Sequence, residues 1–271
     1  MGRLGKVLFI LTSTLLFTAL ACPGLVFCQK PEYDFYPEFR NNFVPELRKE
    51  MPAVTNEEIF NRYETKLRGD GVAASEIARR IELIRSHREL LESDYWNRFY
   101  TGGKANFNRA PNRFLTQVVE ALPPGTALDY AMGEGRNALY LAKLGWQVWG
   151  FDAADEAVAI AQRRAKELGL TLHAAAVRDT EYEFGRERFD LILFSWSMPL
   201  VPVQKVVDAL KPGGIVVMEC GADFVGRNGM LKMFDALRIE RYEVVRDTAD
   251  FYDRRQTDII RLIARKTGKA E

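Results

Sequence analysis

The stretch from residue 127 to residue 142 decides the fold, and it reads ALDYAMGEGRNALYLA. Residues 127–131 form a short apolar run typical of a buried strand, and residues 138–142 continue as a helix. Gly133 and Gly135 stand between them, where the chain turns sharply and leaves main-chain N–H groups facing a ligand. The pattern predicts a strand, a ligand-binding turn and a helix, as in nucleotide-binding α/β sheets.

Strands and helices alternate on the C-terminal side of this turn. After the strand at 127–131, further strands are predicted at 147–151, 170–177, 189–195 and 215–220, with helices at 155–168 and 203–210. Strands separated by helices of this length indicate a parallel sheet. Two later strand-like runs, 241–251 and 258–264, predict an antiparallel hairpin at the sheet edge. We therefore expect a doubly wound α/β fold with a mostly parallel seven-stranded sheet, an antiparallel C-terminal hairpin and a helical N-terminal segment.

Two acids frame the predicted ligand site. Asp152 ends the second strand, 17 residues after Gly135, where a carboxylate can accept both hydroxyls of a ribose. Asp129 ends the first strand, where its charge suits a ligand with a sulfonium and an amino group and repels a pyrophosphate. The spacing Gly133-x-Gly135-x-x-Ala138 also matches the dinucleotide fingerprint, so a nicotinamide or flavin enzyme stays open as an alternative.

Three segments carry a resemblance to a known family: residues 128–142, 145–148 and 150–152. They resemble the class I S-adenosylmethionine-dependent methyltransferases. The Gly-Arg-Asn-Ala variant at 135–138 is most similar to the small-molecule branch that contains the tellurite-resistance methyltransferases. Residues 189–192 and 210–214 fall where that family has its later motifs, and the resemblance covers roughly residues 94–266. It implies S-adenosyl-L-methionine as cofactor and a methyl-transfer reaction.

The resemblance also implies a set of cofactor-binding residues. These are Asp129, Gly133, Glu134, Gly135, Asp152, Ala153, Asp179, Ser195 and Trp196. In that set, Asp129 would approach the amino group of the methionine moiety and Asp152 the ribose hydroxyls. Asp179 would lie at the adenine edge, or would only cap the turn that follows it. Ser195 and Trp196 would border the methyl-transfer site, although Trp196 is also interpretable as a packing residue.

Two further features bear on this site. The family often has glycine where this chain has Ala131, and a positive φ there would strain the turn by about 1 kcal/mol or more. Upstream, residues 94–100 resemble the segment that lies over the cofactor in this branch. Trp96 and Tyr100 are therefore candidates for a lid that excludes water, with plain packing as the alternative. No side chain is identified as a catalytic base.

The N-terminal segment, residues 1–28, predicts a targeting signal or an anchor. Arg3 and Lys6 precede an apolar run at 7–21, which fits a secretory signal cleaved before Cys22. An uncleaved membrane anchor over residues 7–27 and lipidation of Cys22 are the alternatives. The flanking charges predict a domain outside the inner membrane, either exported or membrane-associated. Because S-adenosylmethionine is made in the cytoplasm, a cytoplasmic-facing domain stays open as an alternative.

The remaining organisation follows from proline content and periodicity. Residues 29–54 carry four prolines and are expected to form an extended linker or an arm that lies on the domain. Two predicted helices follow and complete the segment 29–93. They are expected to form a hairpin that packs on the main domain or acts as a separate binding module. Residues 94–271 are expected to form the S-adenosylmethionine-binding methyltransferase domain.

Composition excludes several function classes. Lys and Arg number 38 against 37 Asp and Glu, so there is no basic excess of the kind that nucleic-acid binding requires. Two histidines and three cysteines give little basis for a metal site or a Ser-His-Asp hydrolase. A small-molecule methyltransferase is the leading hypothesis, with no nucleic-acid partner and an undetermined oligomeric state. A nicotinamide oxidoreductase and a non-catalytic cofactor-binding domain held at the membrane are its rivals.

Overall fold

A computed structural model describes residues 34–51, 56–102, 108–222, 228–251 and 255–268. Within these ranges, no helix is both long enough and apolar enough to span a bilayer. The predicted signal or anchor at residues 7–27 lies outside the described residues, so it stays a prediction.

One seven-stranded sheet forms the centre of the fold. Its strands are β1 (Thr126–Tyr130), β2 (Gln147–Asp152), β3 (His173–Ala176), β4 (Phe189–Ser195), β5 (Leu210–Gly221), β6 (Arg238–Thr248) and β7 (Gln256–Arg265). They lie in the order β3-β2-β1-β4-β5-β7-β6. The first five pair in parallel, whereas β7 pairs antiparallel with both β5 and β6. The predicted doubly wound sheet with an antiparallel C-terminal hairpin is confirmed.

Helices cover both faces of this sheet. They are α5 (Arg113–Val119), α6 (Arg136–Lys143), α7 (Asp155–Glu167), α8 (Val203–Ala209) and α9 (Gly229–Met233). Successive side chains of a strand point to opposite faces, and β1 shows this clearly. Ala127 packs in a core with residues of α5 and α6, while Leu128 packs in the opposite core with residues of α8 and α9. Burial on both faces explains why the central strands β1 and β4 are mostly apolar.

The N-terminal arm differs from its prediction. The extended conformation expected for residues 29–54 is wrong where the structure describes them, because the chain is helical in α1 (Tyr36–Glu38), a π-helical turn (Phe39–Phe43) and α2 (Val44–Glu50). Prolines occupy the first turns of α1 and α2, where their missing N–H costs no helical hydrogen bond. Proline content alone therefore misled the assignment.

A long helix connects the N-terminal arm to the sheet. Helix α3 (Asn56–Gly69) packs against α4 (Ala74–Thr101) as the predicted hairpin. The main domain is predicted to start at residue 94, but helix α4 continues beyond that residue. The N-terminal helical hairpin and the main domain therefore share this helix. His87 has non-helical φ and ψ angles of −127° and 22°, which marks a kink within α4. The part of α4 that follows the kink reaches the edge of the sheet described next.

Candidate functional site

The carboxyl ends of the parallel strands bring the predicted site residues to one edge of the sheet. Asp129 and Tyr130 lie at the end of β1, Asp152 ends β2 and Ser195 ends β4. Glu219, which pairs with Ser195 in the register of β4 and β5, lies near the end of its strand. This edge is where open α/β sheets bind their ligands.

The glycine turn between β1 and α6 is built from left-handed residues. Gly133 and Gly135 have φ angles of 54° and 74°, and Ala131 has a φ of 52°. A left-handed alanine costs about 1–2 kcal/mol relative to its ordinary conformation, so the turn is strained at Ala131. A Cβ at Gly133 would clash with the Tyr100 hydroxyl, and the left-handed φ of Gly133 strains any other residue, so glycine fits best there.

Asp129 is buried beside the start of α6. Only 1% of its surface is exposed, and its Oδ2 accepts a hydrogen bond from the main-chain N–H of Ala138 at 3.0 Å. Burial raises the pKa of this carboxyl to about 7. The carboxyl group therefore lies at the positive end of a helix, where its charged form gains some compensation for lost hydration.

Asp152 holds the glycine turn and the β2–α7 loop together. Its Oδ2 accepts from Gly133 N at 2.8 Å, and its Oδ1 accepts from Ala154 N at 2.9 Å. Burial raises its pKa as well. Nearby, Glu134 forms an ion pair with Arg164 at 2.5 Å. Asp152 and Glu134, both predicted site residues, are thus already bonded to other residues of the protein.

The last turns of α4 lie over this part of the site. Ser93 Oγ donates to the carbonyl of Ala153 at 2.7 Å, and Asn97 Nδ2 donates to Asp155 at 2.6 Å. The half-buried Tyr100 side chain lies on the glycine turn, and loss of hydration raises its pKa, with a further contribution from the nearby Asp152 charge. Trp96 packs against Tyr100 and Phe251, and the lid role of Trp96 and Tyr100 stays a prediction.

Asp179 lies at the same edge, in the segment that follows β3. Its Oδ2 accepts a hydrogen bond from the Tyr130 hydroxyl and another from Leu200 N at 2.9 Å. The cap interpretation of Asp179 gains no support, since these bonds reach residues of β1 and of the segment after β4. Tyr130 was not selected from the sequence, because it reads as an ordinary strand residue.

Trp196 occupies a constrained position after β4. Its φ is 58°, which is rare for a bulky side chain. Its main-chain N–H donates to the carbonyl of Glu219 at 2.8 Å, and its indole Nε1 donates to Asp250 Oδ1 at 3.0 Å. Arg136 contacts the same region, donating to Ser195 Oγ at 3.3 Å and to Asp250 Oδ1 at 3.0 Å. Trp196 is thereby held by Asp250 in the segment that follows β6, and Ser195 is linked to the same carboxylate through Arg136.

Two buried carboxylates on this side are fully engaged by side chains. Glu219 accepts from Asn112 Nδ2 at 2.5 Å and from Arg261 Nε at 2.7 Å. Asp250 Oδ2 accepts from Asn112 Nδ2 at 3.0 Å, in addition to the bonds at its Oδ1. Burial, chiefly, raises the pKa of Glu219. Sequence reasoning missed Asn112, Arg136 and Asp250 because they are far apart in the chain and form no local motif.

Comparison with known proteins agrees with this geometry. Residues 127–214 match a family model described as a methyltransferase domain. A protein-L-isoaspartate O-methyltransferase from Azorhizobium caulinodans is 35% identical over 109 residues, covering 40% of this chain and 50% of that protein. A 2-heptyl-1-hydroxyquinolin-4(1H)-one methyltransferase from Mycobacteroides abscessus is 37% identical over 97 residues, covering 33% of this chain and 43% of that protein. The chain spans about half the length of the curated relatives it matches.

Solved structures show the same fold. A 1,6-didemethyltoxoflavin-N1-methyltransferase from Burkholderia thailandensis, with S-adenosylhomocysteine bound, superposes with a TM-score of 0.52 at 18% identity, covering 68% of this chain and 90% of that one. A structure from echinomycin biosynthesis, where a disulfide bond is converted into a thioacetal group, gives 0.54 at 18% identity, covering 66% and 93%.

Sheet order, glycine turn and matched residues together define the fold of this protein. The chain carries the class I S-adenosylmethionine-dependent methyltransferase fold, as the resemblance at residues 128–152 predicted. Within that class, it is similar over the matched region to enzymes that methylate quite different acceptors.

Proposed function

We propose that the protein transfers a methyl group from S-adenosylmethionine to a small-molecule acceptor. The observation that carries the proposal is the pair of buried carboxylates, Asp129 and Asp152, on either side of a left-handed glycine turn. This turn lies within the matched methyltransferase domain, and the Burkholderia neighbour holds S-adenosylhomocysteine in a similar fold.

The residues present fit this cofactor in charge and shape. The Asp129 carboxylate suits the ammonium group of the methionine moiety, because an opposite charge stabilises the ionised form of a buried acid. Asp152 suits the ribose hydroxyls, and Asp179 the amino group of adenine. The Tyr100 hydroxyl fills the space in front of Gly133, so a cofactor that lies against the main chain there requires Tyr100 to move. Bound cofactor would supply a methyl group on a sulfonium, which is already an activated leaving group.

The protein's own contribution would be alignment and exclusion of water. Ser195 and Trp196 border the place where the acceptor would approach, and α4 covers the opposite side. Glu219 and Asp250 are poorly suited as general bases, because each carboxylate is paired with an arginine, Arg261 and Arg136 respectively, which favours its unprotonated form. The site therefore favours an acceptor that is nucleophilic without deprotonation by the enzyme, such as a thiolate, a heavy-element anion or a neutral amine.

Calorimetric titration of the full-length protein tests the proposal. S-adenosylmethionine and S-adenosylhomocysteine should bind, and NAD should not. Asp152→Ala should weaken S-adenosylhomocysteine binding by about 10- to 100-fold, since a hydrogen bond to a charged group contributes about 1.5–3 kcal/mol. Asp190→Ala is the matched control, because this acid lies at the opposite end of β4 and pairs with Lys211.

The rival functions give different results in the same titration. Binding of NAD alone would establish the nicotinamide oxidoreductase instead. Binding of neither cofactor would support the non-catalytic domain. Binding of S-adenosylhomocysteine with unchanged affinity in a folded Asp152→Ala variant would show that the ribose lies elsewhere.

A further inference from the structure

One tyrosine joins three segments at the carboxyl edge of the sheet. Tyr130 ends β1, and its hydroxyl donates to Asp179 Oδ2 in the segment after β3. Leu200 N, in the segment after β4, donates to the same Asp179 oxygen at 2.9 Å and lies 3.2 Å from the Tyr130 hydroxyl. Ser197 Oγ donates to the carbonyl of Tyr130 at 3.1 Å. Tyr130 thus contacts the segment after β4 at two points and the carboxylate of Asp179 at a third.

The direction of the central hydrogen bond is fixed by chemistry. Burial, together with the hydrogen bond to Asp179 and its charge, raises the pKa of Tyr130 well above its usual value. The phenol therefore keeps its proton and donates it, and the carboxylate accepts. Both donors, the phenol and Leu200 N, bind Oδ2, so Oδ1 is the oxygen of Asp179 that can face a ligand.

The ring of Tyr130 is held rigidly. It is 3% exposed, and its centroid lies 4.8 Å from that of Phe151 and 4.6 Å from that of Phe194. Phe184 stacks beside it at 6.2 Å. A ring enclosed by three aromatic side chains cannot easily change rotamer, so the position of its hydroxyl is set by the core.

We propose that Tyr130 is a positioning residue for purine selection. This inference rests on the proposed function, in which Asp179 lies at the adenine edge. Tyr130 holds the carboxylate so that Oδ1 accepts a hydrogen bond from the 6-amino group of adenine. A carboxylate oxygen in that position repels a 6-oxo group, which has no proton to donate. The site therefore selects adenosyl over inosyl cofactors, and the selection depends on a hydroxyl that does not touch the purine.

The same residue links purine recognition to the acceptor side. The segment at 197–200 follows Ser195 and Trp196, which border the proposed methyl-transfer site. Because this segment is bonded to both Tyr130 and Asp179, the purine side and the acceptor side of the site share one hydrogen-bonded network.

Calorimetric titration with two product analogues tests the inference without knowledge of the acceptor. The probes are S-adenosylhomocysteine and S-inosylhomocysteine, which differ at purine position 6 and in the proton that the 6-oxo purine carries on N1. Wild-type protein should prefer the adenosyl compound by about tenfold or more, as expected for one charge-assisted hydrogen bond. In Tyr130→Phe, most of this preference should be lost through weaker binding of the adenosyl compound.

The matched control is Tyr182→Phe. Tyr182 is a half-buried tyrosine of the same aromatic cluster, stacked on Phe151 at 4.3 Å, and its hydroxyl makes no bond to Asp179. This variant should keep the wild-type preference. Thermal unfolding of both variants accompanies the titrations, because a merely structural role for Tyr130 would lower the unfolding temperature and leave the preference unchanged.

Two variants of Asp179 complete the experiment. Asp179→Asn offers an amide that can donate to a 6-oxo group, so its preference should move towards the inosyl compound. Asp179→Glu keeps the charge but moves it away from the Tyr130 hydroxyl. It should lose the preference as Tyr130→Phe does, and it serves as the second variant if Tyr130→Phe does not fold.

Each outcome decides between the two claims. The role of Tyr130 would be overturned if Asp179→Asn changed the preference and Tyr130→Phe did not. The same holds for Asp179→Glu if it replaces Tyr130→Phe. The proposed function would stand in either case. Unchanged preference in all variants would overturn the adenine contact and the inference together. If the wild-type protein binds neither compound, the proposed function fails and the inference fails with it.

Discussion

The two sides of the site satisfy their buried carboxylates in different ways. On the cofactor side, Asp129 and Asp152 accept hydrogen bonds from main-chain N–H groups of the glycine turn and its neighbours. On the acceptor side, Glu219 and Asp250 accept chiefly from side chains, including those of Arg261 and Arg136. Main-chain donors come with the fold itself, whereas side-chain donors exist only where the sequence supplies each residue.

This difference explains the extent of the match to known proteins. The matched region, 127–214, contains Asp129, the glycine turn and Asp152. Asn112, Glu219, Asp250 and Arg261 lie outside it. A backbone arrangement can persist while side chains change, so the cofactor side can be shared among enzymes with different acceptors. The acceptor side depends on side chains that lie partly outside the matched region.

Breaking the side-chain network should have the largest effect. In Asp250→Ala, the Arg136 guanidinium loses its ion-pair partner, and both side chains are only 10% exposed. Leaving one charge of a buried pair without its partner typically costs about 3–5 kcal/mol. Urea unfolding should therefore show a free energy of unfolding lower by about that amount.

Asp247→Ala is the control on the same hairpin. Asp247 pairs with Arg113, which is 64% exposed, and with Arg261, which keeps Glu219 as a partner. An exposed ion pair contributes about 1 kcal/mol or less. An equal loss of unfolding free energy in Asp250→Ala and Asp247→Ala would contradict the distinction between the buried Arg136–Asp250 pair and the exposed Arg113–Asp247 pair.

On the cofactor side, the buried Asp129 should make the free energy of unfolding depend on pH. Asp129 has a usual pKa of 3.8 and a folded-state pKa of about 7, so the folded protein holds the proton more tightly. Its contribution to stability is complete below the unfolded pKa and is lost as pH rises through 7. Asp129→Asn cannot ionise, so its advantage over wild type should grow between pH 5 and pH 8 by on the order of 1–3 kcal/mol.

Urea unfolding at several pH values between 5 and 8 measures this advantage. Asp190→Asn is the control, because bonds from Lys211 and Thr126 outweigh burial and lower the pKa of Asp190, which therefore stays ionised throughout this range. Its difference from wild type should stay constant. A constant difference for Asp129→Asn as well would show that main-chain donors keep Asp129 ionised at every pH tested.

The smallest effect is expected at the strained alanine of the turn. Ala131→Gly should raise the free energy of unfolding by about 0.5–1 kcal/mol, because glycine adopts a φ of 52° without strain but loses more entropy on folding. Ala154→Gly is the control, since Ala154 is buried with a φ of −84° and should become less stable. Thermal unfolding measures both variants. Unfolding temperatures that are both higher or both lower than that of the wild type would contradict this account.

Sequence patterns predicted the strands and the glycine turn for a physical reason. Strand order, the glycine turn and the acids at strand ends all depend on local periodicity and on conformations that only a few residues adopt. Asp250 could not be found in this way. It lies 114 positions from Arg136, and only the return of the β6–β7 hairpin brings the two together. The N-terminal arm was misassigned because proline was interpreted without its position in a helical turn.

Helix α4 has a kinetic consequence for cofactor exchange. Tyr100, in its last turn, lies on Gly133, against which the cofactor is proposed to bind. Entry and exit then require the end of α4 to move, and the kink at His87 is a natural pivot. At high cofactor concentration, the observed association rate should reach a plateau set by this opening. Product release would be limited by the same motion, so turnover could be slower than methyl transfer itself.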